Sequence, residues 1–446
     1  TGTGQLRYTC RGHKNVIVDV VVDQQDRFMA SASQDKTIRV WHLNSERGTP
    51  AAILGGHTDM VNKLAFDFKH RVLVSVSDDG TCRVWNLRDV YEDESRVHTN
   101  VPFQSVSIWQ IDMPTRSSKV FWVSINPNKS KFVCGGKDGI LHVVEYENMN
   151  SGLKASVCDR LSAGGHRGDR GKTSAAQNRQ EIILVEHSNC GERVLSVCRQ
   201  SSNAKIHFLR DSKDETTSMK SGDIQGKVLV LRTCKEENVT KAKVPIMMFA
   251  AWTCDSRQVV TSQGVEKPAS STDLHFDANA EIRVWCGYSG KLLRVLKRPT
   301  DGPELRQAIW NIRTHPVDPR ILMSAGEDGR VILWNIETGK TVWCWTNRHP
   351  GGQTLIQAKP GQAIALADSC FSSDGTSLAV SDGNGRWSLF ATGSKKPYAL
   401  AMDEQYFMDD YSPLRYDSEQ VAVDESGGLM PHLLPRTPLC NHTLVP

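Results

Sequence analysis

Apolar residues in this chain come in short runs of strand length separated by polar turn-formers, and one such unit recurs. "SASQDKTIRVWHL" (31–43) alternates small and apolar positions, breaks at an Asp-Lys turn and resumes as "TIRVW". "SVSDDGTCRVWNL" (75–87) repeats the arrangement, "SAGEDGRVILWNIETG" (324–339) is a further clear copy, and "CGGKDGILHVVEY" (134–146) is a worn one. Each reads as strand, tight turn, strand, closing on a bulky core residue. "AKIHFLR" (204–210), "AEIRVWCGYSG" (280–290) and "NGRWSLFATG" (384–393) keep the strand and lose the turn. The pattern predicts an all-β chain.

Aligning the copies makes Trp41, Trp85, Val144, Phe208, Trp285, Trp334 and Phe390 equivalent. The first interval is 44 residues, the length of one four-stranded propeller blade. The later intervals of 59, 64, 77, 49 and 56 residues predict inserted loops, near 146–180, 211–226 and 262–280. A propeller of seven blades is expected over 1–395, with an extended segment over 396–446. "TGTGQLRYTCRGH" opens like the tail of a repeat, so residues 6–9 read as an outermost strand. That strand either closes the ring onto the last blade or belongs to a parent protein with eight blades. An open ring would leave strand edges unpaired.

The spacing within the repeat carries its chemistry. His13 precedes Trp41 by 28 residues and His57 precedes Trp85 by the same 28. Asp35 and Asp79 sit six residues before those tryptophans, and Ser31 and Ser75 four residues before the aspartates. In a four-stranded blade these side chains meet: indole N–H to serine, serine to histidine, histidine to the turn aspartate. A buried indole left without an acceptor costs about 1–3 kcal/mol. Ser324, Asp328 and Trp334 repeat the set without its histidine, since "LKRP" (296–299) stands where Gly-His is expected. These residues resemble the WD-repeat family, which implies a β-propeller of four-stranded blades. It also makes His13 and His57 structural rather than metal ligands.

Composition changes this picture little. The chain has 446 residues, 39% hydrophobic and 23% charged, with a net charge of +4, too small to point to nucleic acid as the main partner. Direct nucleic-acid binding is expected to be weak or absent. Basic residues gather at 160–179 (Arg160, Arg167, Arg170, Lys172, Arg179) and acidic ones at 401–430. The twelve cysteines are scattered with no CxxC pair, which predicts free buried thiols in a reducing compartment. The longest apolar stretch, "VPIMMFAAW" (244–252), is too short to span a bilayer. The chain starts without Met or a signal-peptide pattern, so an intracellular fragment or processed product is expected.

Catalytic patterns are weak. "GGHRGDRGKTS" (164–174) approaches a phosphate-binding loop, but five residues separate Gly165 from Gly171 where four are required. It reads better as a basic insertion acting by charge. No nucleophile elbow, metal spacing or cofactor motif appears, and neither an enzyme nor a small-molecule substrate is expected.

"DEQYFMDDYSPLRYDSEQVAVDESGGLMPHLLP" (403–435) is acidic, aromatic and broken by prolines, and reads as an extended segment docked by its rings or trailing free. Phe407, Asp410, Tyr411, Pro413, Leu414, Asp424, Glu425, Pro431 and His432 make it similar to the stretch after the propeller in the bromodomain and WD-repeat family. "THPVDPRILMSAGEDGRVILWNIETG" (314–339) and "DSCFSSDGTSLAVSDGNGRWSLF" (368–390) resemble that family's last repeats. The resemblance implies a nuclear protein, or one shared with the cytoplasm, that acts as a chromatin-associated scaffold. Its propeller would be a substrate receptor of a cullin–RING ubiquitin ligase, with the ligase adaptor, substrate proteins and chromatin components as partners. Receptors of that type carry Trp-Asp-x-Arg after a third strand. Trp85, Asn86, Leu87 and Arg88 match it except at Asn86, and a solvated loop arginine beside Asp89 remains the other reading. A general interaction propeller with no ligase link is the alternative.

Overall fold

The protein is described from a computed structural model, over residues 10–23, 27–43, 50–67, 69–92, 108–112, 119–149, 152–162, 181–198, 203–209, 228–232, 245–265, 277–296, 309–348, 363–383, 386–391, 414–416 and 422–424. The chain divides into two units, Cys10–Phe390 and a second of Thr1–Thr9 with Ala391–Pro446.

The first unit is a succession of antiparallel sheets, each a meander whose spatial order follows the chain. The first sheet holds β1 (Ile17–Val22), β2 (Phe28–Ser33), β3 (Ile38–His42) and β4 (Pro50–Leu54); the second β5 (Val61–Asp67), β6 (Val72–Ser77), β7 (Thr81–Asn86) and β8 (Ile108–Asp112). The third holds β9 (Val120–Ile125), β10 (Lys131–Gly136), β11 (Ile140–Met149) and β12 (Gly152–Ser162); the fourth β13 (Ile182–His187), β14 (Arg193–Cys198), β15 (Asn203–Phe208) and β16 (Val228–Arg232). The fifth holds β17 (Pro245–Trp252), β18 (Gln258–Val265), β19 (Asp277–Cys286) and β20 (Leu292–Leu296); the sixth β21 (Ile309–Thr314), β22 (Ile321–Gly326), β23 (Arg330–Asn335) and β24 (Lys340–Thr346). The seventh, three-stranded among the described residues, holds β25 (Leu366–Phe371), β26 (Ser377–Asp382) and β27 (Trp387–Ala391). One short helix, α1 (Arg88–Glu92), follows β7. First strands neighbour one another in the order β1, β5, β9, β13, β17, β21, β25. The expected all-β, seven-bladed β-propeller is borne out.

The sheets are small, and each first strand carries a bulge. Its pairing with the second strand slips near its start, at Ile17/Asp19, Val61/Lys63, Ile182/Leu184, Met247/Phe249, Ile309/Asn311 and Leu366/Asp368. In the third blade the extra residue is Phe121 of β9, between Val120, which pairs with Gly136, and Trp122, which pairs with Gly135. Such bulges bend the strand and raise its local twist.

The core lies between the sheets. Val72, Val74, Val76, Cys82 and Val84 of the second blade meet Val120, Phe132, Val144 and Tyr146 of the third. Comparable layers join the first blade to the second, the third to the fourth, and so on to the seventh. Strands β6, β10 and β14 are buried at every position, because a sheet covers each face. Each valine so buried contributes about 1.5–3 kcal/mol. On β1, Asp19 turns toward the second blade, where it accepts from Lys63 Nζ at 2.6 Å and Leu64 N–H at 2.8 Å. Val18, Val20 and Val22 of that strand are exposed.

Some expected loops fall differently. Residues 146–162, expected within an inserted loop, extend β11 and β12 into a long hairpin that pairs as far as Met149 and Gly152. Alternation in "HVVEYENM" and "LKASVCDRLS" sustains it. In the second unit, where an extended segment is expected, β28 (Leu414–Tyr416) and β29 (Ala422–Asp424) pair antiparallel. The intervening "DSEQV" opens with two turn-forming residue types, Asp417 and Ser418. The predicted strand at 6–9, the insertion at 163–180 and the loop at 211–226 lie outside the described residues.

Candidate interaction site

In the first two blades, tryptophan, serine, histidine and aspartate form a continuous polar thread. Trp41 Nε1 donates to Ser31 Oγ at 2.8 Å, Ser31 Oγ lies 2.8 Å from His13 Nε2, and His13 Nδ1 lies 2.9 Å from Asp35 Oδ2. The second blade gives 2.8 Å for Trp85–Ser75, for Ser75–His57 and for His57–Asp79. The serine oxygen accepts from the indole and can pass its own proton toward Nε2, which matches a hydrogen on Nδ1 donated to the aspartate. Burial pushes His57 below the usual imidazole range and outweighs the upward pull of Asp79. Burial alone would raise Asp79, but hydrogen bonds from His57, Thr81 and the Thr58 N–H hold it below the carboxylate range.

Thr37 and Thr81, which the spacing did not single out, complete the threads. Thr37 Oγ1 donates to Asp35 Oδ1 at 2.6 Å, and Thr81 Oγ1 to Asp79 Oδ1 at 2.7 Å. The tip residue between each Asp and Thr sits in the left-handed region, Lys36 at φ 71° and Gly80 at φ 79°.

Later blades keep the pattern by exchange. In the sixth, Trp334 Nε1 donates to Ser324 Oγ at 2.9 Å and Asp328 accepts from the Arg330 N–H at 3.1 Å. In the fifth, Trp285 Nε1 donates to Thr261 Oγ1 at 2.9 Å. In the third, His142 on β11 lies 2.8 Å from Asp138 and so supplies the imidazole from another strand. The fourth blade corrects the alignment of Phe208. Ser196 pairs with Lys205 as Ser31 pairs with Arg39, so His207 takes the tryptophan's place, 3.0 Å from Ser196 Oγ. Phe208 faces the other side of the strand, and a one-residue slip is enough to exchange faces.

Trp85 to Tyr91 form a shelf at one end of the second blade. Trp85, Leu87, Val90 and Tyr91 are buried against Phe28 of the first blade, with the Phe28 and Tyr91 rings 4.4 Å apart. Tyr91 Oη donates to Asp23 at 3.1 Å, and the Arg27 and Arg71 guanidinium carbons lie 5.1 Å and 5.9 Å from its ring centroid. Asn86 Oδ1 accepts from the Arg88 N–H at 3.0 Å and so caps the first turn of α1. An aspartate would make the same bond, so the departure at Asn86 removes a charge and keeps the turn. Arg88 is half-buried at the start of this helix.

The family model "WD domain, G-beta repeat" matches residues 4–42 and 48–86, the two blades whose threads are complete. Those two blades are WD repeats by sequence as well as by geometry. The chain is also 31% identical over 199 residues to a bromodomain and WD repeat-containing protein of Dictyostelium discoideum. That match covers 44% of this chain and 8% of the relative's length. The resemblance to the bromodomain and WD-repeat family, over its WD-repeat portion, is thus borne out. A WD-repeat propeller is in general a scaffold for protein interaction.

Of the tail residues, Leu414 and Asp424 are paired at the ends of the hairpin. Phe407, Asp410, Tyr411, Pro413, Glu425, Pro431 and His432 lie outside the described residues. None of the ten described cysteines is in a disulfide, but they are not uniformly buried: Cys158, Cys190, Cys344 and Cys370 are exposed. Cys190 lies on a turn, Cys158 and Cys344 on the fourth strands β12 and β24, and Cys370 on the first strand β25. Among the described residues no cluster of His, Cys, Asp or Glu is arranged to hold a metal, and no helix is long and apolar enough to cross a membrane.

Proposed function

We propose that this WD-repeat propeller is the substrate receptor of a cullin–RING ubiquitin ligase within a chromatin-associated nuclear protein, and that the Trp85–Tyr91 shelf meets the ligase adaptor. The observation that carries the reading is the capped turn. Asn86 fixes the backbone of Arg88 while Leu87, Val90 and Tyr91 anchor the helix behind it. An arginine held in this way loses less entropy on pairing its planar fork with carboxylates or carbonyls. Arg27 and Arg71 around the Tyr91 ring add positive charge to the same end. Chromatin association rests on the name of the Dictyostelium relative, whose bromodomain belongs to that protein.

The test is Arg88→Glu, with co-precipitation of the adaptor and cullin measured from nuclear and cytoplasmic extracts. Recovery is expected to fall at least about tenfold, as loss of one charge-assisted pair and gain of a repulsion imply. Asn86→Asp is expected to bind as well as the parent chain. Undiminished recovery with Arg88→Glu would remove the shelf from the interface. Absence of adaptor and cullin from the parent chain's own precipitate would leave a general interaction scaffold.

A further inference from the structure

The turn between β13 and β14 presents Cys190 to solvent above a buried cation. Ser188 Oγ lies 3.2 Å from both the Arg193 N–H and its carbonyl, and Gly191 N–H donates to Ser188 O at 2.8 Å, which fixes the turn. Arg193 is 1% exposed. Its Nη1 donates to Gly287 O at 2.9 Å and its Nη2 to Ser256 O at 2.7 Å. Its guanidinium carbon lies 4.8 Å from the Trp252 ring centroid and 4.0 Å from that of Tyr288. Gly287 permits this packing, because a Cβ there would meet the Trp252 ring at 2.7 Å.

Among the described residues no carboxylate pairs with Arg193, and its Nε is buried without a hydrogen-bond partner. A buried cation without a counter-charge is costly, and an adjacent anion relieves that cost. The group in position is the Cys190 sulfur, 3.7 Å from Nη2 and 3.1 Å from Ser188 Oγ. Burial acts to raise the Cys190 thiol, but Ser188, the Glu192 N–H and Arg193 together bring it below the ordinary range. Cys286 feels the same guanidinium and is also lowered, chiefly by Ser289. Cys158, also exposed, is pushed up by burial.

We propose that Cys190 is a site of covalent modification, a nucleophilic thiol that forms a mixed disulfide with low-molecular-weight disulfides of the oxidised glutathione class. The Cys190 thiolate attacks one sulfur of the reagent, a new S–S bond forms and the reagent's own S–S bond breaks. The departing thiolate takes the electron pair and a proton from water. Cys190 is oxidised and half of the reagent is reduced, with no other oxidant required.

The test uses the full chain with oxidised glutathione and reads the modification rate of each cysteine by peptide mass spectrometry. At pH 7, Cys190 is expected to react about tenfold faster than Cys158, from its larger thiolate fraction offset by lower intrinsic nucleophilicity. Between pH 7 and 8.5 its rate should rise less steeply than that of Cys158. Ser188→Ala, with folding checked by circular dichroism, should slow Cys190 toward Cys158 and leave it the faster, because the Arg193 guanidinium remains. Equal rates in the parent chain, or parallel pH profiles, would overturn the proposal.

Discussion

Ser75 and Ser324 occupy the same position in their blades and are equally buried, yet they serve different numbers of partners. Ser75 Oγ accepts from Trp85 Nε1 and bonds His57 Nε2, each at 2.8 Å. Ser324 Oγ accepts from Trp334 Nε1 at 2.9 Å, and its blade has no matching histidine. Replacing Ser75 by alanine therefore orphans two buried polar atoms, while the same change at Ser324 orphans one. At about 1–3 kcal/mol for each unsatisfied group, Ser75→Ala should cost about 2–6 kcal/mol and Ser324→Ala about 1–3 kcal/mol.

The size of the deleted group cancels in the comparison, because the substitution is identical and both sites are closed to water. The measurement is urea unfolding of each variant, followed by tryptophan fluorescence and by circular dichroism. Coincidence of the two signals decides whether one transition describes the chain. Equal destabilisation, or a larger loss at Ser324, would refute the counting of orphaned partners. A cycle with Trp85→Phe sharpens the result: once the indole N–H is gone, Ser75→Ala should cost about 1–3 kcal/mol less than in the parent.

Stability should also depend on pH through buried histidines. Burial lowers His207 from the ordinary imidazole value to about 4 and His187 to about 3, and it lowers His57 as well. The unfolded chain then binds protons that the folded chain does not, so stability is full above about pH 6.5 and falls as pH drops toward 4. Glu186, raised to about 7 by burial, works in the opposite sense as pH rises from about 4.5 to 7 and offsets one of the three histidines. Urea midpoints that stay flat between pH 6.5 and 4.5 would contradict this balance. At the turn tip, Gly80→Ala should cost about 1 kcal/mol, since φ is 79° there, and an unchanged midpoint would show that the turn relaxes.

How much of this was legible depended on where each partner lies along the chain. The first two blades were readable because short turns hold histidine, serine, aspartate and tryptophan at fixed offsets, and the sixth gave three of the four. The fifth hid its acceptor because the loop between β18 and β19 moves Thr261 to 24 residues before Trp285. The third and fourth hid theirs by exchange, an imidazole on β11 in one and His207 for tryptophan in the other. Joints between blades left no trace in spacing at all. Tyr146 Oη donates to Asp67 across the second and third blades, and Arg193 reaches Gly287 from 94 residues away.

These exchanges share a physical rule. From the second blade to the sixth the second strand lies between two neighbouring sheets, so a polar group there must find a partner inside the protein. In this chain the identity of the residue varies while the set stays satisfied. Threonine can stand for serine, histidine for tryptophan, and one strand's imidazole for another's, provided donors and acceptors still match. Two copies with every offset intact are therefore enough to identify the architecture, while the diverged blades must be read from their hydrogen bonds. The same rule marks Arg193 as unusual. It is a buried cation whose donors meet carbonyls and a thiol but no described carboxylate, and it sits where three consecutive blades are tied by Asn128 to Cys190 O and by Asn189 to Cys254 O. Structural satisfaction leaves one charge over at that point, and chemistry at the exposed sulfur is the natural place to look for its use.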